Sequence, residues 1–120
     1  MKFVKHKEIL DNKDWIKTDG YKKKTILNEN DLNKQGSVLQ LNIVEPNTPL
    51  TPHRHKKMTE AVYVLNGEGI IVINNKEFIM KQGDLITIQP NETHTAKNPS
   101  NREFKYLVFK TNFSENDKFE

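Results

Sequence analysis

Short stretches in which apolar and polar residues alternate, separated by turn-forming residues, run through most of this chain. In residues 39–43, leucine and isoleucine alternate with glutamine and asparagine, as in a β-strand with one buried face. Comparable stretches recur about every 8–12 residues, and no apolar stripe persists at helical spacing. Pro46, Pro49 and Pro52 also exclude a helix from the segment that they occupy. The pattern therefore predicts an all-β sandwich or barrel.

The chain divides by its pattern into three parts of a single domain. Residues 1–36 are a polar lead-in predicted to form edge strands, turns or an arm, residues 37–110 form the barrel core, and residues 111–120 are a polar tail expected to be loosely held. Within the core, the Asn66-Gly67 pair predicts a tight hairpin, and so does the Gly67-Glu68-Gly69 run. The predicted core strands are 39–43, 60–65, 69–73, 76–80, 85–88, 93–98 and 104–110.

Composition excludes several classes of function. The 120 residues suffice for one domain, and the longest apolar run, residues 61–65, is far too short to span a membrane. The chain has no cysteine, which excludes disulfides, thiolate metal ligands and cysteine nucleophiles. Its 19 basic residues are interspersed with 16 acidic ones, so no basic surface for nucleic acid is predicted. The N-terminus has no signal-like apolar segment, and we expect a cytoplasmic protein without membrane partners.

Three of the four histidines belong to one candidate site. His53 and His55 are two residues apart, Glu60 follows five residues later, and His94 comes near the end of the β-rich region. Imidazole nitrogens and a carboxylate oxygen are ligands of divalent transition metals. In an extended chain His53 and His55 project to the same side, whereas Glu60 has the wrong parity. The segment 56–59 is therefore predicted to turn or bulge so that Glu60 can join them.

The spacing of these residues resembles the first motif of the cupin superfamily. That motif has His-x-His, three or four residues, a glutamate, six residues and a glycine. Here His53-Arg54-His55 is followed after four residues by Glu60, and after six more by Gly67.

The second cupin motif is also present with its spacing intact. It begins at Gly83, continues after five residues with Gln89-Pro90-Asn91, reaches His94 after two more, and ends at Asn98 three residues later. Gln89 stands where the family usually has proline, and Asn91 stands where it usually has glycine. Asparagine tolerates the left-handed backbone conformation, so we expect this turn to survive.

The resemblance to small single-domain cupins implies a double-stranded β-helix, or jelly roll, with one metal ion bound by His53, His55, Glu60 and His94. Ligands of these types suit Mn, Fe, Co, Ni or Zn, and the sequence does not select among them. An octahedral ion with four protein ligands keeps positions open for water, dioxygen or a chelating substrate. A closed structural zinc site is the alternative. Family analogy and open sheet edges predict a homodimer.

The function predicted on this basis is that of a metal-dependent enzyme acting on a small molecule. Dioxygenase, isomerase and lyase chemistry stay open, and the catalytic residues are unknown because no general base can be identified. The alternative is a non-catalytic module that binds a small ligand or holds a structural metal. Weaker candidates for lining the pocket, each expected to be structural, are Gln40, Asn42, Met58 and Tyr106. Lys56 and Lys57 could attract an anionic substrate, although a solvated loop is favoured for them, and Tyr63 is predicted on the outer face.

Overall fold

The structure is a computed structural model that describes residues 6–18 and 20–120. All of its regular elements are β-strands, and no helix in the described part of the chain is long and apolar enough to cross a membrane. The predicted all-β class is confirmed. The strands are β1 (Ile16–Thr18), β2 (Tyr21–Leu27), β3 (Val38–Val44), β4 (Thr48–Pro49), β5 (Thr59–Asn66), β6 (Glu68–Ile73), β7 (Lys76–Lys81), β8 (Leu85–Ile88), β9 (His94–Asn98) and β10 (Phe104–Thr111).

Two antiparallel sheets face each other and form the jelly roll. The larger sheet has the strand order β1-β2-β3-β10-β5-β8, and the smaller has the order β4-β9-β6-β7. After β3 the chain passes repeatedly from one sheet to the other, with β5, β8 and β10 in the larger sheet and β4, β6, β7 and β9 in the smaller. This alternation is that of a double-stranded β-helix, the architecture that the resemblance implied.

The predicted hairpin at Asn66-Gly67 is wrong. The strands on either side of it belong to different sheets, since β5 pairs with β10 and β8 whereas β6 pairs with β7 and β9. A two-residue hairpin of this type needs a positive φ at both central residues. Gly67 has a φ of 82°, but Asn66 is not among the residues with a positive φ. A Cβ atom on Gly67 would lie 2.2 Å from the carbonyl oxygen of Glu103, so the glycine lets the chain turn a tight corner between sheets.

The turn at Asn74-Asn75 does form a hairpin. Asn74 and Asn75 have φ values of 48° and 69°, and they join β6 to β7 in one antiparallel pair. Both residues thus meet the requirement that Asn66 fails to meet.

The inner faces of the two sheets enclose a core whose two ends differ. At one end, which we call the closed end, Val44, Val64, Asn98 and Phe104 are 0% exposed. Phe104 lies directly opposite Val44 in the pairing of β10 with β3, and its ring lies so close to Gly69 that a Cβ there would be 2.3 Å away. The other end, which we call the open end, carries the histidines.

The described part of the lead-in pairs with the larger sheet. Strands β1 and β2 extend the larger sheet beyond β3, as predicted for short strands rather than a long helix. The buried Lys24 donates hydrogen bonds to the side chain and carbonyl of Asp11 and to the carbonyl of Lys13. Its ammonium also lies 4.8 Å from the centroid of the Trp15 ring. These contacts attach residues 11–15 to β2.

Candidate metal centre

Three histidine side chains converge at the open end of the barrel. Their candidate ligand nitrogens, from His53, His55 and His94, lie within 4.8 Å of one another. The ring centroids are 4.9 Å apart for His53 and His55, 4.3 Å for His53 and His94, and 5.4 Å for His55 and His94. The carboxylate oxygens of Glu60 lie 3.2 Å from Nε2 of His94 and 3.9 Å from Nε2 of His55. The fold therefore brings together the four residues that the sequence singled out.

Backbone hydrogen bonds join the two cupin motifs at this point. His53 and His94 form an antiparallel β-bridge, in which each amide donates to the carbonyl of the other at 2.9 and 2.8 Å. The amide of Asn91 donates to the carbonyl of His55 at 2.6 Å. Asn91 has a φ of 68°, so it takes the left-handed conformation expected of it in place of the usual glycine. The loop of the second motif thus helps to position a histidine of the first.

Backbone carbonyl groups orient the imidazole rings. Nδ1 of His94 lies 3.0 Å from the carbonyl oxygen of Glu92, and Nδ1 of His55 contacts the carbonyl oxygen of Asp117. Because a carbonyl oxygen only accepts hydrogen bonds, Nδ1 of each ring must carry a proton and donate it. Nε2 is then the nitrogen available to a metal, and this is the usual way in which protein groups fix a histidine ligand.

One buried atom tests directly whether these residues suit a metal. Nε2 of His55 is buried and has no hydrogen-bond partner among the residues that the structure describes. Leaving a buried polar atom unpaired costs about 1–3 kcal/mol. A cation held between this nitrogen, the other two imidazoles and Glu60 would supply the missing partner. The donor set of nitrogen and carboxylate oxygen suits a divalent transition metal, so the residues fit such an ion.

The site perturbs the pKa values of its residues in different directions. Burial lowers the pKa of His53 to about 4, and the positive charges of His94, Lys118 and His55 add to this effect. Burial alone would also lower the pKa of His94, but the hydrogen bond and negative charge of Glu60 raise it overall. Conversely, burial would raise the pKa of Glu60, and the hydrogen bond and charge of His94 lower it overall. His53 is thus neutral near pH 7, the form that binds metals.

The predicted bend between His55 and Glu60 is held by a residue from the other end of the sequence. The carboxylate of Asp117 accepts hydrogen bonds from the amides of Lys56, Lys57 and Met58 at 2.8, 2.9 and 3.1 Å. Burial would raise the pKa of Asp117, but these three amides lower it overall. Lys56 and Lys57 have exposed side chains, and their backbone amides anchor the bend.

The C-terminal segment is therefore docked, and the expectation of a loosely held tail is wrong for its last part. Arg54 and Phe119 exchange two backbone hydrogen bonds, of 2.7 and 2.9 Å. The ammonium of Lys56 lies 4.5 Å from the centroid of the Phe119 ring. Polar composition suggested a free tail because it does not reveal that Asp117 meets three unpaired amides about 60 residues earlier in the chain. The tail forms part of the wall around the histidines.

A cavity of about 570 Å³ adjoins the histidines and extends into the barrel. This volume lies within the range of small-molecule sites, which is about 300–1,000 Å³. The four weaker candidates from the sequence line it, namely Gln40, Asn42, Met58 and Tyr106. Burial raises the pKa of Tyr106 well above its ordinary value, so its hydroxyl keeps its proton.

The sequence reasoning missed Lys110, which also lines the cavity. Lys110 lies directly opposite Glu60 in the pairing of β10 with β5, and its Nζ donates a 3.0 Å hydrogen bond to Oε1 of Gln40. Strand parity places Lys110 on the same face as Tyr106 and Val108, but only the structure shows that this face is buried and lines the cavity.

Comparison with known proteins agrees with this fold. A region of 63 residues is 30% identical to an oxalate-binding protein of Thermotoga maritima, covering 52% of each chain. A region of 55 residues is 36% identical to an uncharacterized protein of Methanocaldococcus jannaschii, covering 46% of this chain and 44% of that protein. Matches to these curated relatives thus span about half of their length.

A solved structure shares the fold at low sequence identity. KdgF from a Halomonas species superposes with a TM-score of 0.78 over 93% of this chain and 97% of that one, at 14% identity. This likeness shows the architecture alone. The family model of the cupin domain, Cupin_2, matches residues 41–110, which is more than half of the chain and includes all four candidate ligands. The protein is therefore a member of the Cupin_2 family of small cupins.

Proposed function

We propose that His53, His55, Glu60 and His94 bind one divalent transition metal, and that the protein is a metal-dependent enzyme acting on a small molecule. The observation that supports this most directly is the buried, unpartnered Nε2 of His55, which lies beside two further imidazoles and a carboxylate. When bound, such an ion acts as a Lewis acid toward an oxygen of the substrate. The chain orients the ligands through the carbonyl groups of Glu92 and Asp117.

The adjoining cavity supports a site open to ligands over a closed structural zinc. It is lined by His53, His55 and His94 together with side chains of both sheets, so a small molecule has room beside the ligand atoms. The reaction class stays open among dioxygenase, isomerase and lyase chemistry, and we assign no catalytic residue. The second candidate is a non-catalytic module that binds a small ligand.

Metal content tests the first part of the proposal. Protein refolded with Mn, Fe, Co, Ni or Zn and then dialysed should retain about one ion per chain. The double variant His53→Ala, His94→Ala should retain none, because it removes two of the three imidazoles. His6→Ala is the control, since this exposed histidine lies outside the cluster. Elemental analysis that finds full occupancy in the double variant, or no ion in the wild type, contradicts the proposal.

Turnover and water exchange separate the three interpretations. An enzyme should convert one of a panel of small carbonyl, sugar and phenolic compounds only when the metal is loaded. A binding module should bind such a compound saturably without converting it. A structural site should show no exchangeable water, which nuclear relaxation of the Mn²⁺-loaded protein would measure.

We also propose a homodimer that forms through the outer face of the larger sheet. Tyr63 pairs with Leu85 across β5 and β8, and the side chains of Tyr63, Leu85 and Phe109 are 43%, 64% and 40% exposed. Exposed large apolar side chains on one face of a sheet suit an interface between two copies. Sedimentation should find a dimer that Tyr63→Lys with Leu85→Lys converts to monomer, and a monomeric wild type contradicts this. The cytoplasmic location stays a prediction.

A further inference from the structure

The cavity contains a lysine, Lys110, that forms no ion pair among residues 6–18 and 20–120. It projects from β10 into the barrel, where its ammonium donates a hydrogen bond to Gln40 and lies 5.2 Å from the centroid of the Phe113 ring. Burial lowers its pKa, while the carboxylate of Glu60 partly opposes this shift. An ammonium group withdrawn from water in this way is stabilised by any anion that enters the cavity.

One chain of hydrogen bonds in the cavity wall occupies the side-chain oxygens of two amides and leaves N–H and O–H donors available to a ligand. Lys110 can only donate, so Oε1 of Gln40 must face it. Nε2 of Gln40 then donates to Oδ1 of Asn42 at 2.6 Å, and Nδ2 of Asn42 faces the hydroxyl oxygen of Tyr106 at 3.5 Å. Both amide oxygens are thereby engaged, whereas Lys110 keeps further N–H groups and Tyr106 keeps its O–H. Such a wall favours a ligand rich in acceptor oxygens.

The number of charged side chains around the cavity does not by itself favour an anion, since its lining has three lysines and four carboxylates. What distinguishes Lys110 is its place inside the barrel, whereas Lys118 is exposed and Lys23 lies on strand β2. Of the carboxylates, Glu60 contacts the histidines, Asp117 is engaged by three backbone amides, and Glu115 and Glu120 are exposed at the rim.

The metal would add positive charge beside Lys110. Three neutral imidazoles and one carboxylate leave one positive charge of a divalent ion uncompensated. The loaded cavity would thus hold two positive charges, one from the metal beside Glu60 and one from Lys110. Lys110 is the residue that pairs with Glu60 between β10 and β5.

We infer that the ligand of this cavity is a small carboxylate with a second oxygen donor, and that Lys110 is the residue that selects for its negative charge. The inference rests on the proposed metal site, whose open positions would take one end of such an anion. A neutral molecule of the same shape would leave the partly buried ammonium without a counter-charge. Lys110 is thus a specificity-determining residue.

Glycolate and its neutral isostere glycolamide provide the test. Both compounds are titrated calorimetrically into Co²⁺-loaded wild type, Lys110→Met, Lys110→Gln and Lys110→Arg, with metal content and folding checked by elemental analysis and circular dichroism. Lys105→Met is the matched control, because Lys105 lies on the same strand with its side chain on the opposite face. The cobalt absorption spectrum reports whether the ligand reaches the metal.

We expect wild type to bind glycolate at least about tenfold more tightly than glycolamide, the range of one charge-assisted hydrogen bond. Lys110→Met and Lys110→Gln should lose most of this preference at unchanged metal content, whereas Lys110→Arg and Lys105→Met should keep it. Equal affinity for the two compounds in loaded wild type overturns the inference, as does a preference that is undiminished in both neutral variants. Wild type that retains no metal overturns the inference together with the proposed function, so the two failures are distinguishable.

Discussion

The two ends of the barrel are built from the same strands but are chemically opposite. Strand β10 contributes Phe104 to the closed end and Lys110 to the open end, and strand β9 contributes Asn98 and His94 in the same way. Six residues of extended chain separate Phe104 from Lys110, a span of about 20 Å. The fully buried Phe104 and Asn98 thus lie at the end away from the histidines, whereas core residues such as Val62 also line the cavity beside them. We expect substitutions at the closed end to change stability, and those at the open end to change binding.

The largest effect should come from the closed end. Phe104→Ala removes a fully buried ring that packs on Gly69 and Tyr106, and it should lower the free energy of unfolding by about 3–5 kcal/mol. Phe109→Ala, on the outer face of the same strand, is the control and should cost far less. Urea unfolding measures both. If the folded Phe104→Ala protein loses its metal at equal metal concentration, the two ends are not independent.

Removal of the metal is the corresponding test of the open end. An ion that binds only the folded protein, at about 100 times its dissociation constant, should stabilise it by about 2.7 kcal/mol. Chelation should therefore lower the melting temperature of the wild type by several degrees. The double variant His53→Ala, His94→Ala should melt at the same temperature with and without chelator. A wild type whose melting curve is unchanged after verified metal removal would show that no ion contributes to stability.

A smaller effect is expected for the buried amide of the closed end. Asn98 is fully buried, and its Nδ2 donates to the carbonyls of Val44 and Arg102. Asn98→Ala leaves these acceptors without their donor and should cost about 1–3 kcal/mol. Asn101→Ala, in the exposed loop nearby, should be close to neutral. Calorimetric unfolding compares them, and an equal cost for both would show that the amide network does not hold this end together.

The smallest effect should distinguish positioning from stability at the open end. Asp117→Ala removes the acceptor of three amides and releases the carbonyl that orients His55, so metal affinity should fall about 10-fold to 100-fold. Glu115→Ala, an exposed acidic residue of the same segment, is the control for charge. Competition with a metal-binding dye gives both affinities. Equal affinities for the two variants would mean that the tail does not position the ligands.

Much of the barrel could be predicted because its strands are short and amphipathic. The predicted strand 85–88 coincides with β8, and the predicted strand 104–110 differs from β10 by one residue. Alternation is a local property that burial of one sheet face imposes on each strand, so a single sequence displays it. The predicted four-residue site depended on spacing in two motifs, and the fold does bring His53, His55, Glu60 and His94 together.

Errors arose where a local signal competed with a distant partner. Asn66-Gly67 is a hairpin signal, but each flanking strand pairs with other strands, in different sheets. The acidic tail was predicted to be loosely held because the sequence does not show its partners. The three amides that donate to Asp117 come together only when the segment after His55 bends. Lys110 was missed because its strand face becomes interior only when the sheets close.

The sequence by itself determined the strands, the bend before Glu60 and the four candidate ligands, because each of these follows from residue type and spacing along the chain. The tertiary structure alone decided which strands pair, that Asp117 holds the bend, and that Lys110 faces the cavity with the histidines. Those features depend on contacts between residues that are distant in sequence. Such contacts are selected by burial and by the pairing of hydrogen-bonding groups over the whole fold, which no local pattern encodes.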